Sequence, residues 1–354
     1  MRHDAPLNSA KLAKKFMVKQ GGELAPLNIS EEELDPNAQY DQSLSAKPLE
    51  SKKTYEVEFD HPEDTMCSDF AFFEDGKQRT VQIGHIRAEI GSSHVTIPVH
   101  FFVVAATILQ RTGRKLKPWR TPEVRQGILI EKTLARNQAV IDEFEKRGLA
   151  IEGVEAQGGD YYDLRRKALT KAKQLRLELE QELITKWRES EESEDSFLVV
   201  DGTLMNLRNE KNVDRCVGVS KSFGTRYSDA SDFSRITSLE EFQRSWTFRF
   251  HDPDDEDYDP KKGPRERVSW YLRVRTGENK NPEFGLMRVE ISKEYVDEST
   301  GYADRFSRWL LSERLPTSYP APRWSNHLFP IVECENYLSS QIPSIDTINA
   351  SMKV

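Results

Sequence analysis

The sequence predicts an α/β protein in which a mixed sheet is flanked by helices. Three observations carry this. The stretch "FLVVDGTLMN" (197–206) drives four apolar residues into Asp201 and Gly202, the pattern of a buried strand. It follows directly on the clearest helix in the chain, 162–189, where Ala168, Ala172, Leu175, Leu179 and Leu183 step by three or four residues to make one apolar stripe. A helix that feeds a buried strand is an α/β signature. Elsewhere, β-rich runs are separated by turn-forming residues, which builds the rest of a sheet.

In chain order, residues 1–52 are polar, charged and Pro-containing, which predicts a loosely ordered N-terminal arm with one short helix near Leu12 to Val18. From Thr54 the texture changes. "FAFFEDG", "RTVQIGHIRAEIG" and "HVTIPVHFFVVAATIL" predict a meander of about three strands. A helical insertion is expected at about 111–160, because apolar residues recur at helical spacing over Ile130 to Phe144. After the buried strand come a short strand at "RCVGVSKS", the run "SWTFRFHD", and the acidic loop "DPDDEDYDPKKGP". "RVSWYLRVRT" and "FGLMRVEIS" are separated by "GENKNP" and predict a hairpin. Helices are expected around "YADRFSRWLLSER" and from about Asn326 to Ser339. The main domain would then span 53–340, with a C-terminal tail over 341–354. No internal repeat of fixed period is present.

Composition excludes several classes. The three cysteines, Cys67, Cys216 and Cys334, fit neither a disulfide framework nor a zinc site with C-x-x-C spacing, so a reducing, cytoplasmic setting is expected. No run approaches the roughly 18 apolar residues of a membrane span. The N-terminus lacks the apolar core of a signal peptide, and no membrane association or secretion is expected. The net charge of −8 argues against a general polyanion-coating protein, yet 51 Lys and Arg among 59 Asp and Glu leave room for local basic surfaces.

A buried run that ends in Asp-Gly places a carboxylate at a sheet rim, where α/β sites usually lie. The same grammar occurs twice, at Asp75-Gly76 and Asp201-Gly202. Two such carboxylates suit hard Mg²⁺ or Mn²⁺ ions. Glu178 and Glu182, one helical turn apart beside the apolar stripe, are candidate further ligands. The competing reading makes each Asp-Gly a turn and each Glu part of a solvated helix face.

The order of motifs resembles that of the NurA family of DNA-end nucleases. The resemblance rests on "FFEDGKQRT", "LRLELEQEL", "FLVVDGTL", "VGVSKS", "WYLRVR" with "LMRVEIS", and "YPAPRWSNHLFPI", and covers roughly residues 65 to 340. It implies a ribonuclease H-like core, a two-metal site for Mn²⁺ or Mg²⁺, a homodimer, and DNA fed by a HerA-like hexameric ATPase. No Walker loop is present, so that motor would be a separate protein. By resemblance, Asp75 and Asp201 are metal ligands, and the helical ligand is Glu178 or Glu182. Tyr227 and His327 match the family's active-site tyrosine and C-terminal histidine, and Lys221 its lysine, which would suit a phosphate of the substrate or could equally be a solvated strand-end cation. The family's Asp-Gly-Ser reads Asp-Gly-Lys at Lys77 and Asp-Gly-Thr at Thr203.

The residues agree with metal-dependent phosphodiester hydrolysis, in which the protein mainly supplies acidic ligands. His327 could shuttle protons, being able to titrate near neutrality, or could be a packed surface histidine. Tyr227 could instead plug a sheet edge. Lys77, Arg79, Arg273, Arg275 and Arg288 could form a path for phosphates or pair with acids such as Glu290. Trp246, Trp270 and Tyr271 read as core in preference to stacking faces for bases. Two rivals stay open: a DNA-binding or scaffolding subunit without cleavage, motivated by Lys77, and a ribonuclease H-like enzyme acting on RNA.

Overall fold

The chain opens with a helix, α1 (Asp4–Lys19), that packs Ala10 and Ala13 completely into the core. The computed structural model describes residues 4–19, 23–24, 46–59, 68–90, 93–136, 138, 141–142, 146, 150–155, 160–204, 207, 213–221, 228–250, 267–276, 282–293, 296, 301–315 and 324–352. Three short strands follow, β1 (Glu23–Leu24), β2 (Ala46–Pro48) and β3 (Tyr55–Glu56). Then come two long ones, β4 (Phe70–Ile90) and β5 (Ser93–Thr112), of 21 and 20 residues. Strands usually run about 3–10 residues, so this pair is a ribbon that outreaches its neighbours.

Next are β6 (Lys115–Pro118), β7 (Glu123–Glu131), the one-turn α2 (Lys132–Ala135) and β8 (Ala150–Val154). The helix α3 (Tyr161–Arg188), capped by Asp160, leads to β9 (Phe197–Asp201) and β10 (Cys216–Ser220). After α4 (Ala230–Thr237), β11 (Gln243–Arg244) and β12 (Phe248–Phe250) comes the predicted hairpin, β13 (Arg267–Arg273) and β14 (Leu286–Ser292). The chain closes with α5 (Tyr302–Ser312), α6 (Phe329–Gln341) and α7 (Ile345–Met352).

The sheet is large and mixed, in the order β2-β12-β13-β14-β10-β9-β4-β5-β7-β8. Its centre, β10-β9-β4, is parallel, and β14 and β5 flank it antiparallel. Both faces are covered. The α3 stripe packs on one face with Trp187 edge-on to Phe72 at 5.5 Å, while α5 and α6 cover the other over Phe70 and Phe73. Cover on both faces explains why β5 reads as an almost unbroken apolar run over residues 97–109, where neither side meets water. His100, within this run, is buried, and burial lowers its pKa to about 4. Among the described residues no helix is long and apolar enough to cross a membrane.

Several sequence expectations need correcting. The arm contains a sixteen-residue helix seated on the core, not only a short one near Leu12 to Val18. Among the described residues of about 111–160, where the sequence predicts a helical insertion, strands predominate: β6, β7 and β8 lie there. Of the helix read over Ile130 to Phe144, Lys132–Ala135 forms and the described residues 138, 141 and 142 are helical as well; Ile130 belongs to β7, and most of the remainder lies outside the described residues. Residues 341–354 are not a simple tail, because α7 buries Ile348 against α1 and β4. Finally, "FAFFEDG" and "RTVQIGHIRAEIG" are one strand, β4. Asp75-Gly76 is therefore no turn.

Candidate metal centre

The parallel centre of the sheet sets two aspartates side by side. Register pairs Glu74 with Val200, so the next residues, Asp75 and Asp201, emerge together where β9 stops and β4 runs on. Side chains alternate along a strand, so Asp75 shares the face of Phe73, which α6 covers. There Cys334 donates its thiol to the Phe73 carbonyl at 3.4 Å, and the next helical residue is Glu335. As a result, Asp75, Asp201 and Glu335 each offer a carboxylate oxygen, all within 4.8 Å of one another.

Such a set fits a divalent cation. Asp75 is 4% exposed; its Oδ1 accepts from the Gly76 N–H at 2.8 Å, and its Oδ2 is buried without a hydrogen-bond partner among the described residues. A buried orphan carboxylate oxygen is costly unless a proton or a cation satisfies it. Burial first, and then the Asp201 carboxylate, push the Asp75 carboxyl well above its usual range. An all-oxygen, acidic donor set is the kind that hard Mg²⁺ and Mn²⁺ select.

Glu335 was missed by sequence reasoning, although a signal exists. Ile331 and Leu338 are buried on α6, and Glu335 sits four residues after one and three before the other, on the inward stripe.

The helical glutamate at the rim is neither Glu178 nor Glu182 but Glu180. Glu178 accepts from Gln174 at 2.8 Å on the helix surface, and the exposed Glu182 takes both its bonds from Arg125, at 3.0 Å each. Glu180 is 6% exposed and lies over Gly76, so close that a Cβ built there would stand 1.8 Å from its Oε1. The i±4 rows of the helix explain the difference. Ala172, Arg176, Glu180 and Ile184 form a row with buried apolar ends, whereas Gln174, Glu178, Glu182 and Lys186 form a wholly polar one. Glu180 is paired with Arg176 at 2.5 Å. Burial, opposed by Arg176 and reinforced by Asp201, brings its carboxyl up to about 7. On the same face Glu74 is fully buried, with both oxygens unpartnered among the described residues. Burial and then the Glu180 charge raise its carboxyl well above the usual range.

Asp201 is anchored twice. Lys221, just past β10, reaches its two oxygens at 3.0 Å each. Burial opposes the Lys221 charge, but Asp201 and Asp75 outweigh it and raise its pKa. The turn after Asp201 needs Gly202, whose φ is +134°, and is held by Glu290. That carboxylate accepts from Thr203 Oγ1 at 2.8 and 3.0 Å and from the Leu204 N–H at 2.9 Å. Arg267 and Arg288 pair with Glu290 at 3.1 and 3.0 Å in the interior. Burial works against the Glu290 charge, and the two guanidiniums prevail and lower its pKa.

The predicted phosphate path divides. Lys77 and Arg79 are half-buried on β4, alternating with Asp75 on its own face. Arg273, in contrast, is spent on the fold: it donates to the carbonyls of Leu239, Thr237, Pro282 and Phe284. Arg275 donates to the Leu315 carbonyl, and Arg288 belongs to the Glu290 network. These three are not arranged as a phosphate track. Trp246, Trp270 and Tyr271 are buried as core. His327 is half-buried and is not one of the three clustered ligands; its carbonyl accepts from the Leu315 N–H at 3.2 Å. Tyr227 lies outside the described residues. Neither a family model nor a curated protein matches the chain.

Proposed function

We propose that the chain is a metal-dependent DNA nuclease of NurA type, built on a ribonuclease H-like core and working as a homodimer with a HerA-like hexameric ATPase. One observation carries the reading: three carboxylate oxygens converge at a sheet rim, and the buried Asp75 Oδ2 has no other partner among the described residues. Asp75, Asp201 and Glu335 would hold Mn²⁺ or Mg²⁺, which when bound activates water and offsets charge on a phosphodiester. Glu180 borders the same rim from the other face of β4. Lys77 and Arg79, in line beyond Asp75, attract and orient the phosphate backbone. Glu290 fixes the turn that presents Asp201. His327 is the proposed proton carrier and Tyr227 a further active-site group, on the family resemblance.

The test is degradation of end-labelled DNA in Mn²⁺, Mg²⁺ or chelator, with wild type and Asp201→Ala at matched folding. Metal-dependent cleavage lost in the variant supports the reading. A wild type that binds DNA and never cuts, even with the ATPase present, marks a scaffold. Matched RNA substrates separate the ribonuclease alternative.

A further inference from the structure

We propose that Lys221 is the fixed second cation of the centre, so that the protein takes up a single divalent ion at Asp75, Asp201 and Glu335. This inference rests on the nuclease reading above. A two-ion site places its ions about 4 Å apart and ties them with a bridging carboxylate, one oxygen to each ion. Asp201, at the end of β9 beside Asp75, would be the bridge. Both its oxygens, however, lie 3.0 Å from the Lys221 ammonium. Asp75 is the weaker bridge, because its Oδ1 already accepts from the Gly76 N–H and its Oδ2 alone has no partner among the described residues.

Charge leads to the same number. Within the cluster itself, three carboxylates and the ammonium that touches Asp201 leave two negative charges, which one divalent ion neutralises. A second ion would leave an excess of positive charge where the Lys221 side chain is only 9% exposed, and uncompensated buried charge is strongly unfavourable. Glu180, across β4, is already paired with Arg176 and is not a spare ligand. Held by Asp201, the ammonium offers a preorganised positive charge to a phosphoryl or departing oxygen, which is the electrostatic part of a second ion's role.

The test counts ions directly. Mn²⁺ is titrated into chelator-stripped wild type and Lys221→Met by calorimetry, with electron paramagnetic resonance on the same samples. Each titration is done alone and with a phosphorothioate-linked oligodeoxynucleotide that resists cleavage. The expected result is one ion per wild-type chain with the spectrum of isolated Mn²⁺, and two spin-coupled ions in Lys221→Met. Two coupled ions in wild type, in either condition, overturn the inference. One ion in both proteins overturns it as well, since Lys221 would then not be what excludes the second. No ion in either removes the nuclease reading itself. Should Lys221→Met not fold, Lys221→Gln serves in its place, and the wild-type count stands without either variant.

Discussion

Glu180 and Glu182 lie two residues apart on α3 yet should differ widely in their response to mutation. Glu182→Gln breaks only an exposed pair with Arg125, worth at most about 1 kcal/mol, and should change Mn²⁺-dependent cleavage by no more than about twofold. Glu180→Gln removes a charge from the rim and should slow cleavage roughly 10–100-fold, the range seen when groups supporting a metal site are altered. Steady-state rates of the two variants check this. Glu180 also makes a pH prediction for the metal-free protein. Its folded pKa of about 7 lies above the ordinary 4.5, so its contribution is most favourable below pH 4.5 and is lost as pH rises toward 7. At about 1.36 kcal/mol per pKa unit, the loss is on the order of 3 kcal/mol. His100 titrates in the other sense, its lowered pKa favouring the fold at high pH. The Glu180 share is therefore the difference between wild type and Glu180→Gln in chelator, read from urea unfolding at pH 4.5 and 7.5. An unchanged difference would refute it. At this scale the sequence revealed Asp201 and Asp75, because an apolar run breaking at a carboxylate is conspicuous. It concealed Glu180 and Glu335, because each is one acid among many, and only the buried neighbours in its helical row mark it.

Strand β4 shows at the level of elements why Asp-Gly misleads. The pair usually makes a turn, but here the ladder with β5 continues unbroken through it, with Asp75 opposite Thr107 and Gly76 opposite Ala106. Gly76 serves a different purpose: without a side chain it lets Glu180 lie against the strand. Gly76→Ala should displace Glu180 and lower cleavage at least tenfold while the protein remains folded, as circular dichroism and rate together would establish. The turn after β9 provides the converse case. Glu290→Ala removes the buried carboxylate shared by Arg267, Arg288, Thr203 and the Leu204 N–H, and should destabilise by about 3–5 kcal/mol in denaturant unfolding. A loss under 1 kcal/mol would mean that the network contributes little. Helix α3 and the β13–β14 hairpin were legible because period 3.6 and alternation with a turn are local signals. The strands of 111–160 were not, since β7 and β8 are specified by pairing with each other and with β5.

For the molecule as a whole, the mixed sheet with helices on both faces was readable from the sequence, whereas the strand order was not. Order depends on which edges meet, and no local pattern encodes that. Yet order is what makes the site: β4 and β9 lie far apart in the chain and must be parallel neighbours for Asp75 and Asp201 to meet, and α6 must cross them for Glu335 to join. The central claim is that these three carboxylates form a metal centre, and anomalous diffraction from crystals grown with Mn²⁺ tests it most directly. The expected result is an anomalous peak within coordinating distance of Asp75 Oδ2 and of a carboxylate oxygen each of Asp201 and Glu335. Crystals at saturating Mn²⁺ with no peak between these residues would contradict it.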